Sequence, residues 1–278
     1  IFMILIIFSN CKIQISIKCA SNKNDIKVTY NGDDKKIITN TEVNLFNITN
    51  YNLNKGVRIE LGKEPDDIFI NDPTKYGNLY EKYNWTPVKR KLQVKNIKII
   101  EIITDNIIIK NQECINNTTR NIKKNISIYE IIEDTVRSFW YKNGLPEESI
   151  LYNMSYNFHG QIKSFENQWR KNNFHSVSLP FGIKKDGYIN IKPGGKATIR
   201  LKGKKMIILI EVLYLANLIG NVVVNYAHLY GKYHFWAPTV NDIMKANNIT
   251  NRILTTELLE IRCYSDPIIE IFDMTYKS

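Results

Sequence analysis

The sequence predicts a mainly β protein. Residues that favour strands are abundant, since aromatic residues make up 11% of the chain and tyrosine alone contributes 16 residues. Ala197, Ile199 and Leu201 alternate with polar residues, as in a strand with one buried face. The apolar run Met206–Ile219 is shorter than a membrane-crossing helix, which needs roughly 20 residues. We expect a strand buried on both faces, preceded by a turn at Lys202–Lys205.

Residues 1–20 predict a secretion leader. Ile1–Phe8 is uninterrupted apolar sequence followed by small and polar residues, as in the apolar region of a signal peptide. Cleavage after Cys11 and cleavage after Ala20 both fit this pattern. The alternative is a buried amino-terminal strand, because Lys12–Lys18 alternates in hydropathy. Secretion is the preferred prediction.

Two further regions follow the leader, residues 21–125 and residues 126–278. The first contains short alternating pieces between Thr41 and Ile70 and two longer predicted strands within Val88–Lys110. Asn111–Lys124 is polar, rich in asparagine and without periodicity, and it is the predicted connector between the regions.

The clearest alternation in the chain, Ser149–Phe158, predicts one arm of a hairpin. The residues of its apolar face are Ile150, Tyr152, Met154, Tyr156 and Phe158. A polar stretch, His159–Asn173, follows, and the alternation resumes at Phe174–Leu179. Two amphipathic arms around a polar tip are typical of a membrane-inserting hairpin, but an ordinary half-buried hairpin has the same pattern.

Two aromatic segments predict either a surface that binds sugars or a membrane interface, or else a half-buried core. Their residues are Tyr76, Tyr80 and Trp85 in the first segment and Tyr233, Phe235 and Trp236 in the second.

Several segments in order resemble one protein family. They are PGGKATIRLKG (193–203), the run from Ile207 to Ala237, and DIMKA (242–246), with weaker similarity at Asp72–Thr86, Val88–Ile103 and Asp134–Gly144. Together they resemble the spherulin-like group that includes the insect follicular epithelium yolk proteins, which are similar to the aerolysin-type β-pore-forming fold.

The resemblance implies an elongated architecture of long, twisted antiparallel strands with a head-like region. It places the head-like region in residues 21–125, the long-strand region in residues 126–278, and the two aromatic segments close together. Insertion segments of the aerolysin type are long and rich in serine and threonine. The candidate hairpin is short and carries Trp169, Arg170 and Lys171, so a shared fold does not by itself imply pore formation.

The charged and polar residues indicate a binding protein and not an enzyme. The formal net charge of +11 permits an anionic lipid or glycan surface as a partner. Nucleic acid is not expected, because aromatic residues do not interleave with the cations. The sequence has no catalytic motif, metal-ligand spacing or cofactor motif, so we predict no enzymatic activity, no metal and no cofactor.

Cysteines and glycosylation triplets depend on the secretion prediction. If cleavage follows Ala20, Cys114 and Cys263 are free to form a disulfide bond, whereas cleavage after Cys11 leaves Cys19 as a third thiol. The candidate N-glycosylation sites are Asn47, Asn116, Asn117, Asn125, Asn153 and Asn248.

The preferred functional hypothesis is a secreted, non-enzymatic glycoprotein of the yolk or spherulin-like type. Such a protein has a storage, egg-associated or extracellular-matrix role, and its partners are further copies of itself or other egg and extracellular proteins. The alternative is a membrane-binding, pore-forming toxin-like protein used in defence or venom.

Overall fold

The computed structural model describes residues 12–20, 22–146 and 148–274, and over these residues the chain is mainly β, as predicted. The predicted leader segment Ile1–Phe8 lies outside the described residues. The strands are β1 (Gln14–Lys18), β2 (Lys27–Asn31), β3 (Asp34–Ile37), β4 (Asp67–Phe69), β5 (Lys89–Ile115), β6 (Ile122–Trp140), β7 (Leu151–Phe158), β8 (Gln161–Gln168), β9 (Phe174–Ile191), β10 (Lys196–Ile219), β11 (Val223–Tyr230), β12 (Tyr233–Trp236) and β13 (Ile253–Met274). The helices are α1 (Asn40–Leu45), α2 (Asn50–Leu61), α3 (Leu79–Tyr83) and α4 (Val240–Ala246).

Within the described residues, a long sheet has the strand order β3-β5-β10-β13-β6-β9. Neighbouring strands in it are antiparallel. β10 contains 24 residues, so it extends for about 80 Å at the usual rise of a strand, and the molecule is elongated. A second sheet has the order β2-β1-β7-β8, and a small third sheet has the order β12-β11-β4.

The strand β10 is buried on one face and half-buried on the other. Met206, Ile208 and Ile210 are at most 1% exposed, whereas Ile207 and Leu209 on the opposite face are half-buried. The prediction of burial on both faces is therefore wrong. The predicted turn at Lys202–Lys205 is also wrong, because β5 and β13 pair with β10 on both sides of this segment and accommodate it as a bulge.

β1, Gln14–Lys18, is the amino-terminal strand that the alternation of Lys12–Lys18 predicts. β1 lies between β2, its antiparallel neighbour, and β7, its parallel neighbour. Ile13, Ile15 and Ile17 are at most 1% exposed and belong to the main core. Cleavage after Ala20 would remove this core strand, whereas cleavage after Cys11 would leave it in place.

The two predicted regions after the leader share the long sheet. β5, from residues 21–125, pairs with β10, from residues 126–278, between Lys89 and Ile115. The strands expected between Thr41 and Ile70 are largely wrong, because α1 and α2 occupy most of that range. Thr39 and Thr49 cap the two helices, and Gly62 ends α2 in the left-handed conformation (φ 77°).

Two predictions about individual side chains are wrong. Cys114 pairs with Ala197 on β10, whereas Cys263 pairs with Met206, nine residues further along the same strand. Since each residue adds about 3.3 Å, the two cysteines lie too far apart for a disulfide bond. Asn116 is fully buried and its amide nitrogen donates to the carbonyls of Arg120 and Ile191, so it has no space for a glycan.

Among the described helices, none combines the length and apolar character that a membrane crossing requires.

Candidate functional site

The candidate hairpin Ser149–Leu179 is only partly as predicted. Its first arm is a strand, but the predicted second arm, Phe174–Leu179, belongs to β9 and pairs with β6. β7 and β8 pair from Leu151↔Gln168 to Phe158↔Gln161. The turn consists of His159 and Gly160, both with positive φ (48° and 83°), which is the geometry of a two-residue hairpin loop. The polar stretch expected as a tip is mainly the second strand of the hairpin.

This hairpin lies between two strands that pair with each other. β6 precedes it and β9 follows it, and their register runs from Ile122↔Ile191 to Arg137↔Phe174. β6, β7, β8 and β9 therefore form one long hairpin whose distal part, β7–β8, is folded into the second sheet. The described residues that link the two parts of this long hairpin are 141–146, 148–150 and 169–173.

The apolar face of β7 is buried in the protein core. Its five predicted residues, Ile150, Tyr152, Met154, Tyr156 and Phe158, are at most 3% exposed. They belong to the same cluster as the buried face of β10. β8 contributes a more polar set to this face, because Asn167 is opposite Tyr152 and Lys163 is opposite Tyr156. The apolar character of the hairpin thus resides mainly in β7.

Four aromatic rings hold the base of the hairpin against the long sheet. They are Trp140 on β6, Tyr152 on β7, Trp169 after β8 and Tyr214 on β10, with ring centroids 4.6–6.4 Å apart. Trp169 and Tyr214 meet edge to face at 4.9 Å, one of the arrangements that aromatic pairs prefer.

A buried carboxylate lies beside this aromatic cluster. Glu257 on β13 is fully buried and accepts hydrogen bonds from the hydroxyls of Tyr152 (2.7 Å) and Tyr214 (2.6 Å). Burial raises the pKa of Glu257 to about 7, although the two hydroxyls act in the opposite direction. Glu257 therefore links the hairpin to two strands of the long sheet through a group that titrates near neutral pH.

A second buried carboxylate lies near the turn of the hairpin. Asp134 on β6 is fully buried, and its Oδ2 lies 3.8 Å from Nε2 of His159. Burial raises the pKa of Asp134 to about 7 and lowers the pKa of His159. Both ends of the hairpin thus face a buried acidic group on the long sheet.

Arg170 joins the two linkers of the hairpin. Its guanidinium donates to the carbonyl oxygens of Tyr141 (2.6 Å), Asn143 (2.7 Å) and Leu145 (2.6 Å). The residue itself has φ 57°, in the left-handed region. The first linker is also fixed to β13, since Leu145 N–H donates to Thr255 Oγ1 at 2.8 Å.

The two aromatic segments pack together at one end of the molecule, as predicted. Phe235 contacts Tyr76 (centroids 5.3 Å) and Tyr83 (6.4 Å), and Tyr83 stacks on Trp85 at 4.7 Å. Tyr80 is an exception among the surface candidates. It is 3% exposed, and its hydroxyl lies within hydrogen-bond distance of the carbonyl oxygens of Phe69 (2.8 Å) and Asn221 (3.0 Å).

An open cavity of about 500 Å³ lies along these rings. We call it the aromatic groove, and it is lined by Tyr83, Trp85, Leu229, Lys232, Tyr233, His234, Phe235, Trp236 and Ala237. Tyr233 and Leu229 are both 59% exposed, so the groove presents apolar surface to solvent. Lys82 lies 5.2 Å from the ring of Tyr83, so a cation lies beside the rings.

Sequence reasoning missed several residues that hold the hairpin. Glu257 was the available signal, because it is the one acidic residue within the strand segment 253–259. Nothing in the sequence indicates that Asp134 and His159 meet, or that Arg170 reaches three carbonyls, because these contacts depend on how the hairpin folds back.

Comparisons with known proteins identify toxins. U-megalopygitoxin(8)-Mc8 of Megalopyge crispata is 25% identical over 251 residues, covering 88% of this chain and 86% of that protein. U-megalopygitoxin(8)-Mo15 of Megalopyge opercularis is 26% identical over 276 residues, covering 97% and 87%. The structure of parasporin-2, a Bacillus thuringiensis toxin that recognizes cancer cells, matches with a TM-score of 0.52 and 13% identity, covering 87% of this chain and 98% of that chain. No protein-family model matches the chain.

The match to the parasporin-2 structure, together with the long antiparallel sheet, confirms the predicted fold class, which is mainly β and elongated with long antiparallel strands. The comparisons do not show a relationship to the spherulin-like or yolk proteins. Because the relatives are toxins by name, they favour the toxin-like alternative over the storage role.

Proposed function

We propose that this chain is a secreted, non-enzymatic toxin that binds membranes and forms pores, with β7–β8 as the inserting segment. The observation that carries the proposal is the position of this hairpin between the paired strands β6 and β9. If β7–β8 swings out in line with them, each arm of the joint hairpin exceeds the roughly 9–11 residues that a strand needs to cross a bilayer. The toxin names of the relatives and the fold of parasporin-2 support the same reading.

The buried apolar face of β7 is the surface that the inserting hairpin β7–β8 would present to lipid. Tyr152, Met154, Tyr156 and Phe158 lie on one face of β7, while Asn153, Ser155 and Asn157 lie on the other. In lipid the first face contacts acyl chains and the second faces water. The Lys163 side chain on β8 is long enough to extend its ammonium towards the polar interface.

The aromatic groove and the net charge of +11 are the proposed means of docking on an anionic lipid or glycan surface. Several copies then assemble, because a single hairpin leaves the edges of its strands unpaired in the membrane. The proposed N-glycans are attached at the exposed candidates Asn47, Asn117, Asn125 and Asn248.

Dye release from anionic vesicles tests the proposal. Ser16 and Ser155 are directly paired on β1 and β7, so S16C/S155C allows a disulfide bond that locks the hairpin in the soluble fold. We expect release by the unmodified protein, no release by the oxidised double variant and recovery after reduction, with S155C alone as the matched control. Absence of release by protein that is bound to the vesicles would contradict pore formation.

A further inference from the structure

Two cysteines that are distant in sequence meet below the hairpin. Cys19 follows β1, and its backbone N–H donates to the carbonyl of Asn157 on β7 (3.3 Å). Its side chain packs against the same core as that of Cys263 on β13, close enough for the two thiols to interact. Both side chains line a cavity of about 290 Å³ that also borders Phe158 and Met206.

The surroundings of these thiols indicate a structural pair and not a reactive site. Cys263 is 3% exposed and Cys19 is half-buried against the same core. The neighbouring Cys263 thiol, followed by burial, raises the pKa of Cys19 well above its usual range. A thiol in this state is a poor nucleophile, so once the chain has folded the pair reacts slowly with external reagents.

We propose that Cys19 and Cys263 form a disulfide bond in the secreted protein. The oxidant is a disulfide-bearing dithiol or glutathione disulfide of an oxidising secretory compartment. One cysteine thiolate attacks a sulfur of that disulfide and releases one thiolate. The second cysteine thiolate then attacks the mixed disulfide and releases the other. The two protons and two electrons lost by the cysteines reduce the oxidant to two thiols.

The same geometry excludes Cys114 from the bond. Cys114 lies in a separate apolar cluster with Ala197, Ile199 and Leu201, whereas Cys263 belongs to the main core. A disulfide to Cys114 would require β5 and β13 to slide by several residues relative to β10. Cys114 therefore stays a thiol.

The bond decides which part of the second sheet can move, a consequence that rests on the proposed function. It ties β1, and through its hydrogen bonds β2, to β13. β7 has no covalent link to β1 and is held by strand pairing alone over Gln14↔Asn153 to Lys18↔Asn157. The hairpin β7–β8 therefore leaves while β1 and β2 remain, instead of the four strands moving together.

Peptide mapping of the protein secreted by eukaryotic cells tests the bond independently of any pore. The protein is denatured with an alkylating reagent and without reductant, and then digested. We expect a peptide containing Cys19 linked to one containing Cys263, and alkylated Cys114. Recovery of Cys19 and Cys263 as alkylated thiols, or of either one linked to Cys114, overturns the proposal.

Thermal unfolding of variants gives a second readout. Reduction should lower the Tm of the unmodified protein and of Cys114→Ser, and should leave the Tm of Cys19→Ser unchanged. An equal effect of reduction on all three proteins overturns the proposal. A confirmed bond in a protein that releases no dye would contradict only the proposed pore function.

Discussion

The hydroxyl of Tyr152 on β7 donates a 2.7 Å hydrogen bond to the carboxylate of Glu257 on β13. Both residues are fully buried, and the bond joins the candidate inserting segment to the middle of the long sheet. Tyr214 donates to the other oxygen of the same carboxylate, so the acid is satisfied only while the hairpin is in place. Moving the hairpin therefore either exposes the Glu257 carboxylate to solvent or leaves it buried without the hydrogen bond from Tyr152.

Tyr152→Phe is expected to weaken the attachment of the hairpin. It leaves one oxygen of Glu257 without its donor, which costs about 1–3 kcal/mol for a buried group. Urea unfolding measures the loss. Tyr188→Phe is the matched control, because Tyr188 is 65% exposed and its hydroxyl is expected to contribute little. Equal stabilities of the two variants would show that the bond does not hold the hairpin.

Stability is expected to fall as the pH rises from about 5 to about 8. Burial raises the pKa of Glu257 and of Asp134 to about 7, so the folded protein binds more protons than the unfolded chain in this range. For Glu257 alone the shift from 4.5 to about 7 corresponds to roughly 3 kcal/mol. Burial lowers the pKa of His159 and His175, which reduces stability on the acid side of about 6.5.

The control for this pH dependence is Glu257→Gln. It keeps the size of the side chain and removes its titration, so the decrease of Tm between about pH 5 and about pH 8 should become shallower. An unchanged slope would mean that Glu257 titrates in the folded protein as it does in the unfolded chain.

A buried ion cluster is expected to fix the start of the long sheet. Arg90 is fully buried and pairs with Glu42 (2.8 Å) and Asp34 (2.7 Å), and Glu148 lies 3.5 Å away. Arg90→Met leaves the buried Glu42 carboxylate without a cation, with only its hydrogen bonds from Thr39, a loss of about 3–5 kcal/mol. Arg90→Met/Glu42→Met should recover much of that stability in chemical denaturation. A double variant as unstable as the single one would show that packing, and not charge, explains the loss.

The long strands could be predicted from the sequence because a buried face imposes a repeat of two. Ser149–Phe158 and Ala197–Leu201 show that repeat and are strands in the structure. α2 was missed because few of its residues are buried and it packs mainly against another helix, α4, with Gly56 directly against Ile243. Local sequence carries no trace of that distant partner.

The prediction of the site was incomplete for the same reason, because the sequence does not show which distant residues come into contact. Alternation in β7 identified an apolar face, but the pattern is identical for a face stored in a core and for a face in lipid. The contacts that distinguish the two, Tyr152 with Glu257 and Cys19 with Cys263, join residues more than 100 positions apart. Only the fold brings them together.

Arg170→Gly is expected to loosen the linkers of the hairpin. Glycine keeps the left-handed backbone (φ 57°) without strain and removes the hydrogen bonds to Tyr141, Asn143 and Leu145. We expect a loss of about 1–3 kcal/mol, because bonds from a charged donor are strong but partly exposed here. Hydrogen exchange should accelerate in residues 141–146 and 148–150. Arg252→Gly, at an exposed loop position, is the control.

Unchanged hydrogen exchange would show that a contact other than that of Arg170 holds the linker. If exchange in this linker stays slow in Arg170→Gly, the bond of Leu145 to Thr255 holds the linker by itself. No side-chain substitution removes the Leu145 N–H group, but Thr255→Val removes the oxygen that accepts its hydrogen bond. Hydrogen exchange in the linker should then be faster in Thr255→Val.

Tyr233→Ser is expected to weaken docking on anionic vesicles without unfolding the protein. Tyr233 is 59% exposed and contacts Trp236 edge to face at 5.8 Å, so little core packing is lost. An aromatic ring at a membrane interface contributes on the order of 1 kcal/mol, and about tenfold weaker binding corresponds to about 1.4 kcal/mol. Tyr51→Ser is the matched control, because Tyr51 is 75% exposed on α2 and outside the aromatic groove. Co-sedimentation with vesicles measures both variants, and an equal decrease in both would show that exposed tyrosines act without regard to the groove.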